Sequence, residues 1–410
     1  MANTFNNVND AAAIIAKMAA TQFKDHLQFL NRVQKADAGD FDGKNGYKAG
    51  ATVQISIPPR YIPQDTFDIT SSKQDSVEEK TPLVLDIQKT IGLSADSFEF
   101  ATEIELTEYY NREVKPAIDS IAEYVELDML AKATQSVANT VGTAGSTTFS
   151  VADILAARTK MQQYLAPRGE RFLLMDASSG AAAVDARKGL FQSSEEISKQ
   201  YKMGYIGMSD GFTWLENELV HQHTNGNDVT GVAADGTVTE GDATLHVDGL
   251  TTTTGTVTKG SVFTIAGVNA VHPITKKVYP FLQQFVVTAN VTADGSGDAD
   301  LAISPKMYAA SEGLQNISSL PANDAALVFV GAANGLYTQN LAYDKSAFRC
   351  VSVPLIMPTN AEFAAQATEE GITISIVRDW DINKREMITR LDFLGGIATV
   401  RPEHAVRITS

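Results

Sequence analysis

The sequence predicts an α+β protein interrupted by a small β-rich domain, a barrel or a sandwich. Three observations carry that prediction. Helical spacing dominates from 106 to 201. From about 225 to 305 the composition turns to Thr, Gly, Asp and Val, with hairpin signals. Mixed α/β texture then resumes near Leu327. At 410 residues the chain exceeds the usual size of one domain, so two or three cores are expected.

Asp10 is placed to cap a helix over 10–33, in which Ile14, Ile15, Met18, Phe23, Leu27 and Leu30 recur roughly at helical spacing. It reads either as an ordinary amphipathic helix or as an arm that packs on a neighbour. Thr52-Val-Gln-Ile-Ser-Ile57 alternates as a strand does, and Pro58-Pro59 stops it. A polar run over 64–80 follows, then a second strand over 83–91. Two strands with a long polar tip form an extended hairpin, or a solvated surface loop.

A helix is expected over 103–134. Its stripe is Tyr110, Val114, Ile118, Ile121, Val125 and Met129, with Glu108 and Arg112 one turn apart. Pro116 should kink this helix or mark a fresh start. Ser150 caps a helix over 151–165, Arg171-Phe-Leu-Leu-Met175 is a strand, and helices follow over 177–188 and 193–203. Thr213-Trp-Leu-Glu-Asn217 leads into Leu219-Val-His-Gln-His223.

The insert carries an echo: Gly236-Thr-Val-Thr-Glu-Gly241 and Gly255-Thr-Val-Thr-Lys-Gly260. Each precedes an alternating run, Leu245-His-Val247 and Val262-Phe-Thr-Ile265, and two similar hairpins would explain it. Phe285-Val-Val287 and Leu301-Ala-Ile303 supply later strands around a turn at Asp294-Gly295. Beyond the insert, strands are expected over 326–330, 348–354, 372–377, 387–393 and 397–400, with a loop over 331–339. Gly395-Gly396 would permit a turn or bulge between the last two strands.

No constellation of residues assembles an enzyme. His221 and His223 share one face of a strand, and with Glu218 they offer a zinc three ligands. No His-Glu-x-x-His occurs, so exposed imidazoles are expected there, with His246 and His272 inside the insert. Asp294-Gly-Ser-Gly-Asp298-Ala-Asp300 lacks EF-hand spacing and reads as a polar hairpin tip. Asp379-Trp-Asp381 has the spacing of a glycosidase pair but no second feature beside it. Ser178-Ser-Gly180 is not a nucleophile elbow, and no Walker A or dinucleotide string is present. Catalytic, cofactor and metal sites are therefore not expected.

Formal net charge is −16, which lacks the basic footprint of a nucleic-acid binder. Cys350 is the single cysteine, so no internal disulfide forms, and in its strand-like setting it reads as a small core residue. The N-terminus has no secretion-signal pattern, and no run of about 18 apolar residues would span a membrane. A soluble product made in a cytoplasm is expected.

Five segments occur in a telling order. They are Val125-Glu-Leu-Asp-Met-Leu130, Lys259-Gly-Ser-Val-Phe-Thr-Ile-Ala-Gly-Val268, Gln284-Phe-Val-Val-Thr-Ala289, Asn340-Leu-Ala-Tyr-Asp-Lys-Ser-Ala-Phe348, and Arg390-Leu-Asp-Phe-Leu-Gly-Gly396 with Arg401-Pro-Glu-His404. The set resembles the P22-type phage coat proteins, major capsid proteins with an HK97-like fold and an inserted β-barrel. The resemblance implies an N-terminal arm helix (1–45), an E-loop hairpin lying over an adjacent subunit (46–100) and a spine helix with part of the P-domain (101–145). It further implies an A-domain first part (146–224), the inserted barrel (225–325), and the rest of the A-domain with the closing P-domain strands (326–410).

It also implies self-assembly of hexamers and pentamers into an icosahedral shell around double-stranded DNA, without sequence-specific binding. A scaffolding protein and a portal protein would be partners, with a decoration protein left open. The expected place is the virion capsid, assembled in the host bacterial cytoplasm. Candidate intersubunit contacts are Arg60 at the hairpin base, Lys73, Asp75, Glu78, Glu79 and Lys80 at its tip, and Arg401. The rival from another class is a secreted or tail-associated carbohydrate-binding protein with an immunoglobulin-like insert.

Overall fold

The structure is a computed structural model that describes residues 8–36, 50–58, 61, 78–96, 110–146, 149–187, 207–310, 313–361, 363–384 and 386–410. Two compact units divide the chain. One comprises Met1–Ile55, Pro82–Leu130 and Arg349–Ala398; the other comprises Ser56–Thr81, Ala131–Phe348 and Thr399–Ser410.

The first unit is built on a mixed sheet. Its order is Gln34–Lys35, Phe348–Ser352, Glu386–Thr399, Ile372–Asp381 and Phe363–Glu369, and Ile87–Asp96 also pairs with the long strand Glu386–Thr399. That long strand is antiparallel to two partners at once: Arg390 opposes Val377 on one and Gly92 on the other. The expected break at Gly395-Gly396 does not occur, because the strand runs through both. The two glycines are there for close approach. A Cβ on Gly396 would fall 2.0 Å from Val84 O, and one on Gly395 would fall 2.8 Å from Val351 O.

The N-terminal helix is Val8–His26 and packs on Phe363–Glu369 and Ile372–Asp381. Ala16, Ala19, Ala20, Phe23 and Leu27 are buried, small residues allowing close approach and the Phe23 ring lying tilted with its centroid 5.5 Å from that of Phe393. This apolar face packs on strands of its own chain. The helix was expected to reach residue 33 but stops at His26. Glu126 Oε1 accepts from both Gln28 N and Phe29 N at 3.1 Å, which draws the chain away before a 3-10 turn at Leu30–Arg32. Met18 lies outside the stripe, 46% exposed; the side chains of Ile14 and Ile15 lie outside the description.

The spine helix is Lys115–Gln135, entered through a π turn at Tyr110–Val114. Pro116 thus lies in the first turn of this helix, directly after the π turn. Val114, Ile118, Ile121, Val125 and Met129 are buried as the stripe requires. Strand Thr52–Ile57 pairs with Glu79–Val84 as a hairpin. The second strand expected over 83–91 is two, Glu79–Val84 and Ile87–Asp96. They are separated at Leu85, whose N–H bonds Ala51 O instead.

The second unit holds an α/β layer and the barrel. Its sheet runs Thr140–Gly142, Ala405–Thr409, Leu336–Asp344, Arg171–Met175, Phe212–Glu216 and Met208–Ser209, with Gln222–Thr224 on the free part of Leu336–Asp344. Two of its pairings are parallel, Arg171–Met175 with Phe212–Glu216 and Ala405–Thr409 with Thr140–Gly142. The loop expected over 331–339 is shorter, because Leu336 already opposes Thr224. Helix Val151–Gln163 begins in a capping box: Ser150 and Asp153 satisfy each other's backbone N–H groups. Ile154, Ala157, Met161, Leu173, Phe212, Trp214, Val406 and Ile408 share the core below it. The helix expected over 193–203 lies outside the described residues.

The insert is a closed barrel in the order Ala233–Ala234, Thr244–Asp248, Ala299–Ser304, Val278–Val287, Val262–Val271 and Ala325–Phe329. Its core follows strict alternation: Leu245 and Val247, Phe263 and Ile265, Phe285 and Val287, Leu301 and Ile303, Leu327 and Phe329. Phe263 sits 5.8 Å from Phe285 and 5.3 Å from Phe329. The strand assigned from sequence to the host after residue 325 therefore closes the barrel. The echo is not two similar hairpins either. Val262–Val271 does form a hairpin with Val278–Val287, whereas Thr244–Asp248 pairs with Ala233–Ala234 and Ala299–Ser304.

Candidate assembly surfaces and the seat of the barrel

The hairpin candidates divide. Arg60, Lys73 and Asp75 lie outside the described residues. Glu78 and Lys80 are exposed at the start of the second hairpin strand. Glu79 is half-buried, and the Tyr308 hydroxyl of the barrel donates to its Oε1 at 3.4 Å. Burial, Glu79 and Glu240 together raise that phenol's pKa. Arg401 is half-buried and reaches its own chain: its Nη1 is 3.5 Å from Glu403 Oε1, and its N–H donates to Ala347 O. Among the described candidates, Glu79 and Lys80 share the second hairpin strand with Glu78 directly before it, and Arg401 pairs with Glu403 within its own segment.

A different polar constellation emerges where the barrel meets the α/β layer. Asn225 ties the two strands of the neck, donating to Val330 O at 2.9 Å and Ala332 O at 3.1 Å. Gln284 of the barrel makes an amide ladder with Thr140, accepting from its N–H at 2.9 Å and donating to its carbonyl at 3.1 Å. Lys160 from helix Val151–Gln163 donates to Thr140 O at 3.2 Å and to Gln284 Oε1. No carboxylate contributes to its titration, and desolvation lowers the ammonium to about 7. Tyr164 Oη donates to Gln283 Oε1 at 3.0 Å, and Tyr279 Oη to Gln163 O at 3.1 Å. Ala138, Val262 and Val286 make an apolar patch among these groups.

Arg407 lies at the centre of the seat, 1% exposed. Its guanidinium donates to Val137 O through Nε at 2.7 Å and through Nη2, and to Gly260 O through Nη1 at 2.8 Å. One side chain thereby joins the segment after the spine helix, the first turn of the barrel hairpin and the C-terminal strand. His221 and His223 belong to the same place. They were expected as exposed imidazoles, but His223 is buried and His221 half-buried, with ring centroids 6.2 Å apart. Burial, with the Arg407 charge second, holds both down to about 4. Their pattern gave no sign of this, because the Arg407 charge that acts on them comes from the other end of the chain.

The sequence-level chemistry does not assemble. Glu218 is exposed, and among the described residues no group of three His, Cys, Asp or Glu has metal-binding geometry. Asp379 accepts from Trp380 N, and Asp381 from Asn383 N and Lys384 N, so both carboxylates serve the strand end and turn. Asp294 Oδ1 likewise accepts from the N–H groups of Ser296, Gly297 and Asp298, which lowers its pKa. Cys350 is buried and its thiol is pushed up to about 11, so it is packing material rather than a nucleophile.

The fold does bring together a Ser, a His and an Asp that sequence reading missed. Ser346 Oγ donates to Asp344 Oδ1 at 2.5 Å, and His404 Nδ1 is 3.0 Å from the same Oγ. With its proton committed to the carboxylate, the hydroxyl accepts from the imidazole. The imidazole is therefore not placed as the base that a Ser-His-Asp triad needs.

The family model described as P22 coat protein, gene protein 5, matches residues 1–409. No curated protein matches the sequence. Solved structures that match include one from Mycobacterium phage Che8, at 12% identity and a TM-score of 0.45, covering 93% of this chain and 90% of that one. The capsid of Ralstonia phage GP4 is 9% identical at a TM-score of 0.46, with 92% and 87% covered. The capsid of an empty GTA particle is 9% identical at 0.44, with 94% and 90% covered.

Proposed function

The chain belongs to the P22 coat protein family, and from that membership we propose that its copies close into an icosahedral shell of hexameric and pentameric rings around double-stranded DNA. The observation that carries this reading is a family match running from residue 1 to residue 409. The chain is a phage capsid subunit with the HK97-like fold and an inserted barrel. Its work is packing between copies, with no chemical reaction. The geometry at Ser346, Cys350 and Asp379–Asp381 supports that, since each reactive group is committed to the fold. A net charge of −16 suits a shell wall that encloses DNA without gripping it.

The hairpin is the element we assign to a neighbouring subunit. A polar tip of this kind cannot bury a core of its own, so its charged residues act through contacts with another copy. Glu78 and Lys80 are the described residues best placed for that, with Arg60, Lys73, Asp75 and Arg401 as further proposed contacts. A scaffolding protein and a portal would direct closure in the host bacterial cytoplasm, with a decoration protein as an optional addition. Co-expression with the scaffolding protein tests the reading. Large closed particles in the sedimentation profile are expected. A subunit that stays monomeric at high concentration under those conditions overturns it.

A further inference from the structure

The seat of the barrel encloses a cation without a counter-ion. Every described acceptor of the Arg407 guanidinium is a backbone carbonyl, Val137 O or Gly260 O, and burial alone moves its pKa, down to about 9. His221 and His223 stand beside it on the neck. The groups facing them come from every element packed there. Gln135 at the end of the spine helix places Nε2 3.3 Å from His221 Nε2. Ser261 of the barrel places Oγ 3.2 Å from His223 Nε2, and Asn225 of the neck bonds His223. The C-terminal strand contributes Arg407. The only charged or titratable groups acting on either ring are Arg407 and, for His223, the other imidazole. A proton arriving here therefore meets one positive charge and no negative one.

We infer that this seat is an acid-releasable interlock: Arg407 pins the spine-helix end, the barrel and the C-terminal strand while His221 and His223 are neutral, and a proton on either ring drives them apart. Geometry makes the response local. The Gly260 position has no slack, since a Cβ there would lie 3.1 Å from Gln135 Cγ and 3.2 Å from His223 Nδ1. A charged His221 loses its acceptor toward Gln135, whose amide must turn over. The sign follows from the depressed values. An opened seat returns the rings toward about 6.5 and binds more protons between there and about 4, so stability is lost as pH falls through that window. From pH 7 to 4.5 the opening equilibrium should rise roughly fiftyfold for each independently titrating ring.

The test is hydrogen exchange on the full-length soluble subunit at pH 7 and 4.5, corrected for intrinsic rates. It is read at the amides of 137–140 and 258–262. Parent protein should lose protection there by the stated factor, and His221→Asn/His223→Asn should lose at least tenfold less. His246→Asn serves as control, because His246 is raised by Asp300 and lies away from the seat; it should respond as the parent does. Equal losses in parent and double variant overturn the interlock, as does unchanged protection in the parent. If the double variant does not fold, the imidazole resonances of the parent decide. Both rings must titrate well below 6, and ordinary titration of both in the folded subunit overturns the inference.

Discussion

Two single residues show how far the fold depends on contacts made across the chain. Gly396→Ala would drive a methyl into the Val84 carbonyl, which is backbone and cannot swing away. A loss of about 3 kcal/mol or more is expected, read from urea midpoints. Arg407→Leu would leave the Val137 and Gly260 carbonyls buried without a donor, a cost of roughly 2–5 kcal/mol. The same measurement checks it, and Arg407→Lys should rescue only partly, because one ammonium lacks the fork that spans both carbonyls. Cys350 was legible from its alternating neighbours alone. Gly395-Gly396 was legible as special but not for the right reason, since the backbone carbonyls that crowd the pair, Val351 O and Val84 O, lie elsewhere in the chain. His221 and His223 were misread for the same cause: local alternation gives a face, and only the tertiary fold brings Arg407 to that face.

At the scale of elements, local signals served best where the energetics are local. The Ser150 cap, the Arg171–Met175 strand and the spine stripe were readable because cap, alternation and 3.6-residue spacing each act within a few residues. Strand partners were not readable. The echo at 236–241 and 255–260 looked like duplicated hairpins, yet the two runs find different partners. The barrel's last strand, Ala325–Phe329, was given to the host because it is separated from the other barrel strands by a long connection. A fragment spanning 225–330, which includes that strand, should fold alone and melt cooperatively. A fragment ending at 305 should not, because Phe263 loses its neighbour Phe329. Amide dispersion in proton–nitrogen spectra distinguishes the two. For the hairpin, Glu78→Lys should leave the subunit's Tm nearly unchanged, because exposed charge contributes little to folding, while weakening assembly in a salt-dependent way. Glu79→Lys is a poorer probe, since Glu79 also accepts from Tyr308.

The chain comprises a sheet-and-helix unit and an α/β unit that carries a barrel, and the groups at Ser346, Cys350, Asp379 and Asp381 are tied into the fold. A capsid subunit needs that economy: its polar groups are spent on internal joints such as Arg407, and its remaining charge lies on surfaces. The central claim is that this chain builds a closed shell. Cryo-electron microscopy of particles purified after co-expression with the scaffolding protein tests it most directly. The account predicts icosahedral shells in which each subunit contributes one hairpin over its neighbour, with the barrel still seated on Arg407. Open sheets, tubes of no fixed symmetry, or subunits whose hairpins touch only their own chain would contradict it.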